Sequence, residues 1–177
     1  MTFTTHLQKA TLVLLFTLLQ SHASQAHMIV AQHGTLNKVE GGIFMVLSLP
    51  ISAFEGIDDN QDGKLSNSEF SVHRNVIVDT VKANVTLHNN TKKLPLQGML
   101  ISPVIAHDSS EKIADQIVIM GRFPLDKMTK NLHYQIALFG KTPAEQQFEI
   151  TATDKANNKK YAMRLTPNQA SASLFTE

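Results

Sequence analysis

The chain has 177 residues, no cysteine, no tryptophan, and 16 basic against 15 acidic side chains. The missing cysteine removes thiol catalysis, thiolate zinc sites, haem attachment and disulfides together. The near-zero net charge, with no Lys/Arg block longer than two residues, argues against a nucleic-acid or membrane-surface binder.

Met1–Lys9 is a short polar segment with one positive charge at Lys9, and Ala10–Leu19 is an apolar run softened only by threonines. Gln20–Ala26 follows with small residues at cleavage spacing, Ser24 and Ala26 among them. This three-part layout predicts a secretory signal peptide over residues 1–26, because the apolar run is too short to span a bilayer, which needs roughly 20 residues. Cleavage after Ala26 would leave His27–Glu177 as a single exported domain, periplasmic or secreted from a bacterium.

Beyond that point, short segments rich in Val, Ile, Leu, Thr and Phe recur between turn signals. Met28–Thr35 and Gly42–Leu49 read as a hairpin closed through Asn37–Gly41. Leu47–Ile57 contains Pro50 and reads as a strand end followed by a turn. Asn67–Val78 is expected to be a short helix, and Val81–His88 alternates as a strand with Val81, Ala83, Val85 and Leu87 on one face. Asn89–Lys93 is a polar turn before Leu94–Ile105, where Pro95 and Pro103 suggest an edge strand or a break. Gln116–Phe123 is nearly all apolar, as a central strand would be, and Leu132–Phe139 alternates again. Gln146–Thr153 and Lys160–Thr166 are joined by the turn Asp154–Lys159. The pattern predicts a mainly β domain, an antiparallel sandwich or partly closed barrel of about eight strands with one inserted loop and helix.

The inserted loop carries the chemistry. Residues 58–69 read Asp-Asp-Asn-Gln-Asp-Gly-Lys-Leu-Ser-Asn-Ser-Glu. A calcium ion takes about six to eight oxygens in a flexible shell. Asp58, Asn60 and Asp62 alternate, so three short side chains can converge on one centre, and Gly63 stands where the chain must turn sharply. Lys64 would give its backbone carbonyl, Ser66 its hydroxyl or a bridging water, and Glu69 both oxygens of one carboxylate from the first turn of the exiting helix. Leu65, an apolar residue between ligands, would meet a sister loop in a paired site. No second such loop is present, so Leu65 is expected to pack on the sandwich.

These residues resemble the EF-hand superfamily over the loop alone, which implies one bound Ca2+ held by Asp58, Asn60, Asp62, Lys64, Ser66 and Glu69. Without an amphipathic entering helix, the ion would fasten the fold rather than open a target groove. A wider resemblance covers roughly His27–Leu87: a His after the signal, a first hairpin, Leu47-Ser48-Leu49-Pro50, then the loop and helix. In that order the chain is similar to the exported N-terminal region of bacterial membrane proteins of the HupE/UreJ group. The group's transmembrane helices are missing here, so the resemblance implies at most a soluble accessory module with a membrane or periplasmic protein partner.

The histidines offer an alternative, a periplasmic copper or nickel carrier. A mature chain starting at His27 would present an amine and an imidazole, but His33 lies about 20 Å further along an extended strand. His88, His107 or His133 would have to approach from another strand. Catalysis finds no comparable support: His107-Asp108-Ser109-Ser110 holds hydrolase residue types side by side, whereas a triad gathers them from separate parts of a fold. The chain is read as a binding protein, not an enzyme.

Overall fold

A computed structural model describes residues 32–105, 113–126, 129 and 131–176. The expected signal peptide, His27 and His107 lie outside these residues, as does the first part of the expected Met28–Thr35 strand. The chain folds into β1 (His33–Val39), β2 (Gly42–Pro50), α1 (Asn67–Asn84), β3 (Val85–Asn89), β4 (Lys92–Leu94), β5 (Gln97–Ile105) and β6 (Ala114–Pro124). It continues with β7 (Leu132–Ile136), β8 (Phe148–Asp154), β9 (Lys159–Leu165) and β10 (Ser171–Leu174).

The strands form a six-stranded sheet in the order β5-β6-β2-β1-β8-β9 and a four-stranded sheet in the order β10-β7-β3-β4. This is the mainly β, open two-sheet architecture expected of a sandwich. Alternation supplies the core: Leu36, Ile43, Met45, Leu47, Ile117, Ile119, Phe123, Phe148 and Ile150 point inward from the large sheet. Leu87, Leu132, Tyr134, Ile136 and Leu174 are buried from the small one. Each such side chain contributes about 1.5–3 kcal/mol by leaving water. The Tyr134 hydroxyl reaches the Met45 sulfur across the core at 3.8 Å, and burial pushes its phenol well above the usual tyrosine range. Among the described residues, no helix is long and apolar enough to cross a membrane.

Several boundaries differ from the sequence expectation. The first strand runs on to Val39, and the hairpin closes through Glu40 and Gly41, with Gly41 at a φ of 79°. Residues 81–84, expected to begin a strand, complete α1 instead. Ile77 and Val81 are one helical turn apart and both fully buried, so a helical stripe explains Val81 better than alternation does. The Leu94–Ile105 segment is split at Pro95, and Pro103 sits on β5, an edge strand where a missing N–H is tolerated. One neighbouring pair, β1 with β8, is parallel while the rest are antiparallel. Gly34 permits that neighbourhood, since a Cβ there would meet side-chain carbons of Leu47 and Ile150 at 2.6 and 2.7 Å.

Candidate metal centre

The 58–69 loop fills the gap between β2 and α1 at one end of the sandwich. β2 leads into a single 3-10 turn, Ile51–Ala53, and Phe54 and Ile57 are buried just before the loop. The chain then turns tightly, with Gln61 and Gly63 at φ values of 58° and 75°. Only glycine takes such angles without a steric cost, which is why the sixth position is Gly63.

Backbone N–H groups organise the acidic side chains. Gly63 donates to Asp58 Oδ2 at 2.8 Å, and Asp62 donates to Asp58 Oδ1 at 3.2 Å. Lys64 donates to Asp62 Oδ1 at 2.7 Å. At the exit, Ser66 caps α1: its hydroxyl accepts from the Glu69 N–H at 3.2 Å, while its own N–H donates to Glu69 Oε2 at 2.8 Å. This reciprocal capping box sets the Glu69 carboxylate at the loop mouth. The Asp59 N–H donates to the other oxygen, Oε1, at 2.9 Å, so Glu69 ties both ends of the loop together. The Ser66 backbone N–H, then its hydroxyl, outweigh partial burial and hold the Glu69 carboxyl below the usual range.

The loop is also sewn to the large sheet. Leu65 is buried in the core, as expected, and its backbone makes an isolated antiparallel bridge with Ala114, the first residue of β6. The two hydrogen bonds, Leu65 N–H to Ala114 O and the reverse, measure 2.8 and 2.9 Å. The strand β6 thus takes the backbone contact that a sister loop would make. Next to it, the Lys64 ammonium faces Asp115 at 3.9 Å.

The donor set is all oxygen, suited to a hard cation: three carboxylates, the Asn60 amide, the Lys64 carbonyl and the Ser66 hydroxyl. None of Asp58, Asp62 and Glu69 has an ion pair among the described residues, so the formal charge of −3 on these three carboxylates is not offset by a side-chain partner. Among the described residues, no three His, Cys, Asp or Glu side chains stand together as a ready-made cluster. Within the loop, the Asn60 amide N–H donates to Asp62 Oδ2 at 2.9 Å. That bond has to open for both side chains to face one ion. The donor types, all oxygen with three carboxylates, are those a calcium ion takes.

No protein-family model matches the chain, and no curated protein matches it.

Sequence reasoning missed His73. It lies one helical turn after Glu69, and its Nε2 sits 2.9 and 3.0 Å from the two oxygens of Asp59. The spacing of four residues from Glu69 placed it on the loop side of α1, a signal legible once the helix was drawn. Of the other histidines, His33 pairs with Glu149 at 3.2 Å, and His88 and His133 stand opposite one another on β3 and β7.

Proposed function

We propose that the chain binds one calcium ion in the 58–69 loop and acts as an exported accessory module whose ion is structural. The observation that carries this reading is a loop fixed at both ends whose carboxylates Asp58, Asp62 and Glu69 have no ion-pair partner among the described residues. Asp58, Asn60, Asp62, Ser66 and Glu69 supply side-chain oxygens and Lys64 its carbonyl, as in the EF-hand superfamily. The bridge from Leu65 to Ala114 and the cap at Ser66 mean that an ion would fasten β6 to α1. A partner would be a membrane or periplasmic protein meeting the sandwich surface, and the balanced charge gives no support to a nucleic-acid role. The alternative, a periplasmic carrier of copper or nickel, gains from histidines on the small sheet rather than from the loop.

Calorimetry on chelator-treated protein tests the reading. One site per chain is expected, with a dissociation constant in the range of about 10⁻⁵ to 10⁻³ M, where extracellular modules lie. Glu69→Gln keeps the capping box but removes the charged bidentate ligand, and should abolish the heat of binding. Calcium at a hundredfold excess should add about 2.7 kcal/mol of stability to the native chain and none to the variant. Equal binding by both proteins would sink the assignment.

A further inference from the structure

We propose that His88 and His133 form a bidentate site for a divalent late transition metal, copper(II) above nickel(II), on the outer face of the small sheet. The two residues are direct register partners across the antiparallel β3–β7 pair. Their chain neighbours Leu87 and Tyr134 are fully buried and face the core, so alternation turns both imidazoles outward. Opposed residues on such a pair hold their Cβ atoms about 4.5–5.5 Å apart. Two rings at that separation reach one ion at the usual metal–nitrogen distance of about 2.0–2.1 Å.

The neighbours on either side prepare the pair. On β10, Ser173 is the register partner of His133, and its hydroxyl lies 3.3 Å from Nδ1. With Nδ1 protonated and donating to Ser173, the lone pair of His133 is on Nε2, facing away from the strand. A group that orients the ring in this way raises the affinity of a histidine ligand. On β4, Lys93 is the partner of His88 and would repel a cation. Its ammonium instead donates to the Lys82 carbonyl at the end of α1, at 3.1 Å.

Ligand chemistry selects the ion. Two neutral imidazoles without a carboxylate favour nitrogen-seeking late metals over calcium or magnesium. No third His, Cys, Asp or Glu joins them among the described residues, so water completes the shell. That suits a tetragonal ion with two nitrogen ligands better than zinc, whose closed sites take four protein ligands. The remaining described histidines are different: His33 and His73 each face a carboxylate rather than a second imidazole. The site is open, which makes it one for capture and release rather than for structure.

Copper(II) titration of the whole chain, followed by electron paramagnetic resonance and calorimetry, decides the matter. A signal with two nitrogen ligands is expected, and His88→Ala and His133→Ala should each weaken binding by about tenfold or more, as loss of one of two ligands requires. His33→Ala is the control and should leave the signal unchanged, as should Glu69→Gln in the calcium loop. Far-ultraviolet dichroism of the two variants, both changed on the outer face, establishes that they are folded. Ser173→Ala should weaken the site less than either ligand change. Copper binding equal to the parent in the His88→Ala/His133→Ala double variant, or dependent on only one of the two, overturns the proposal.

Discussion

Two acidic turns sit at opposite ends of this sandwich, and they treat their carboxylates differently. At the β8–β9 turn, Asp154 is buried on the inner face, where Lys38 of β1 and Lys159 of β9 are its register partners. The Lys38 ammonium donates to it at 2.9 Å, and the Asn157 side chain, the Asn157 N–H and the Ala156 N–H donate as well. Burial pushes the Asp154 carboxyl up, but these bonds outweigh it and hold the group below the ordinary range. That carboxylate is neutralised and its lone pairs are occupied, so it has nothing left for an ion. The 58–69 loop has the same backbone N–H anchors and no cationic partner for its ligands. An acidic turn becomes a candidate cation site when its charge is organised but not balanced.

The comparison can be broken in three places. The largest effect is expected from Leu65→Ala, which removes a fully buried side chain at the bridge to β6 and should cost about 3 kcal/mol in urea unfolding. Calcium affinity should fall with it, because the loop would lose its hold on the sheet. A stability loss with unchanged affinity would show that the bridge serves the core alone.

Next comes Asp154→Ala, expected to cost about 2 kcal/mol with calcium or without it, since it strands two N–H groups and an ammonium. The acid limb gives a second readout. Asp154 has its carboxyl lowered from 3.8, so its contribution is full above that value and is lost as pH falls through the lower folded value. Glu69, and Glu145 in the 3-10 turn Pro143–Gln146 before β8, both lowered from 4.5, act in the same direction just above it. The variant should therefore lose less stability than the parent on acidification below about pH 4. An identical acid limb would remove Asp154 from the account.

The smallest effect is expected at Gly63. No atom lies within 4 Å of a Cβ built there, so Gly63→Ala tests the backbone conformation alone. A φ of 75° should cost an alanine about 1 kcal/mol, seen as a small drop in melting temperature and a weaker calcium heat. A loss several times larger would point to a crowded loop, contrary to its geometry.

The loop was legible because its information is local. Every proposed ligand position from Asp58 to Glu69 follows from spacing, whereas the cap that Ser66 and Glu69 form came from the structure. The sandwich was legible as short apolar strands between turn signals, and alternation located the inward residues Leu132, Tyr134 and Ile136 of β7. Residues 81–84 misled because Val81 and Ala83 continue, in step, the alternation of Val85 and Leu87. The competing helical contact, Ile77 with Val81, becomes decisive only when the burying surface is known. The strand β10 carries Ser171, Ala172 and Ser173, without a β-branched residue to announce it. The bridge from Leu65 to Ala114 and the facing of His88 and His133 are long-range pairings, and no local pattern encodes such a partner.

The parallel pairing of β1 with β8 has a consequence for how the chain is made. β1 lies in the interior of the large sheet, between β2 and β8, yet its second partner is encoded more than a hundred residues later. Until Phe148–Asp154 has emerged during synthesis, the hairpin of β1 and β2 presents an unpaired row of N–H and C=O groups. Such an edge invites pairing with other chains. Closing it demands a distant contact, which makes assembly slow compared with helical proteins of similar size. A nascent chain that ends before β8 should therefore be the most aggregation-prone length of this protein, and the one most dependent on a holding chaperone.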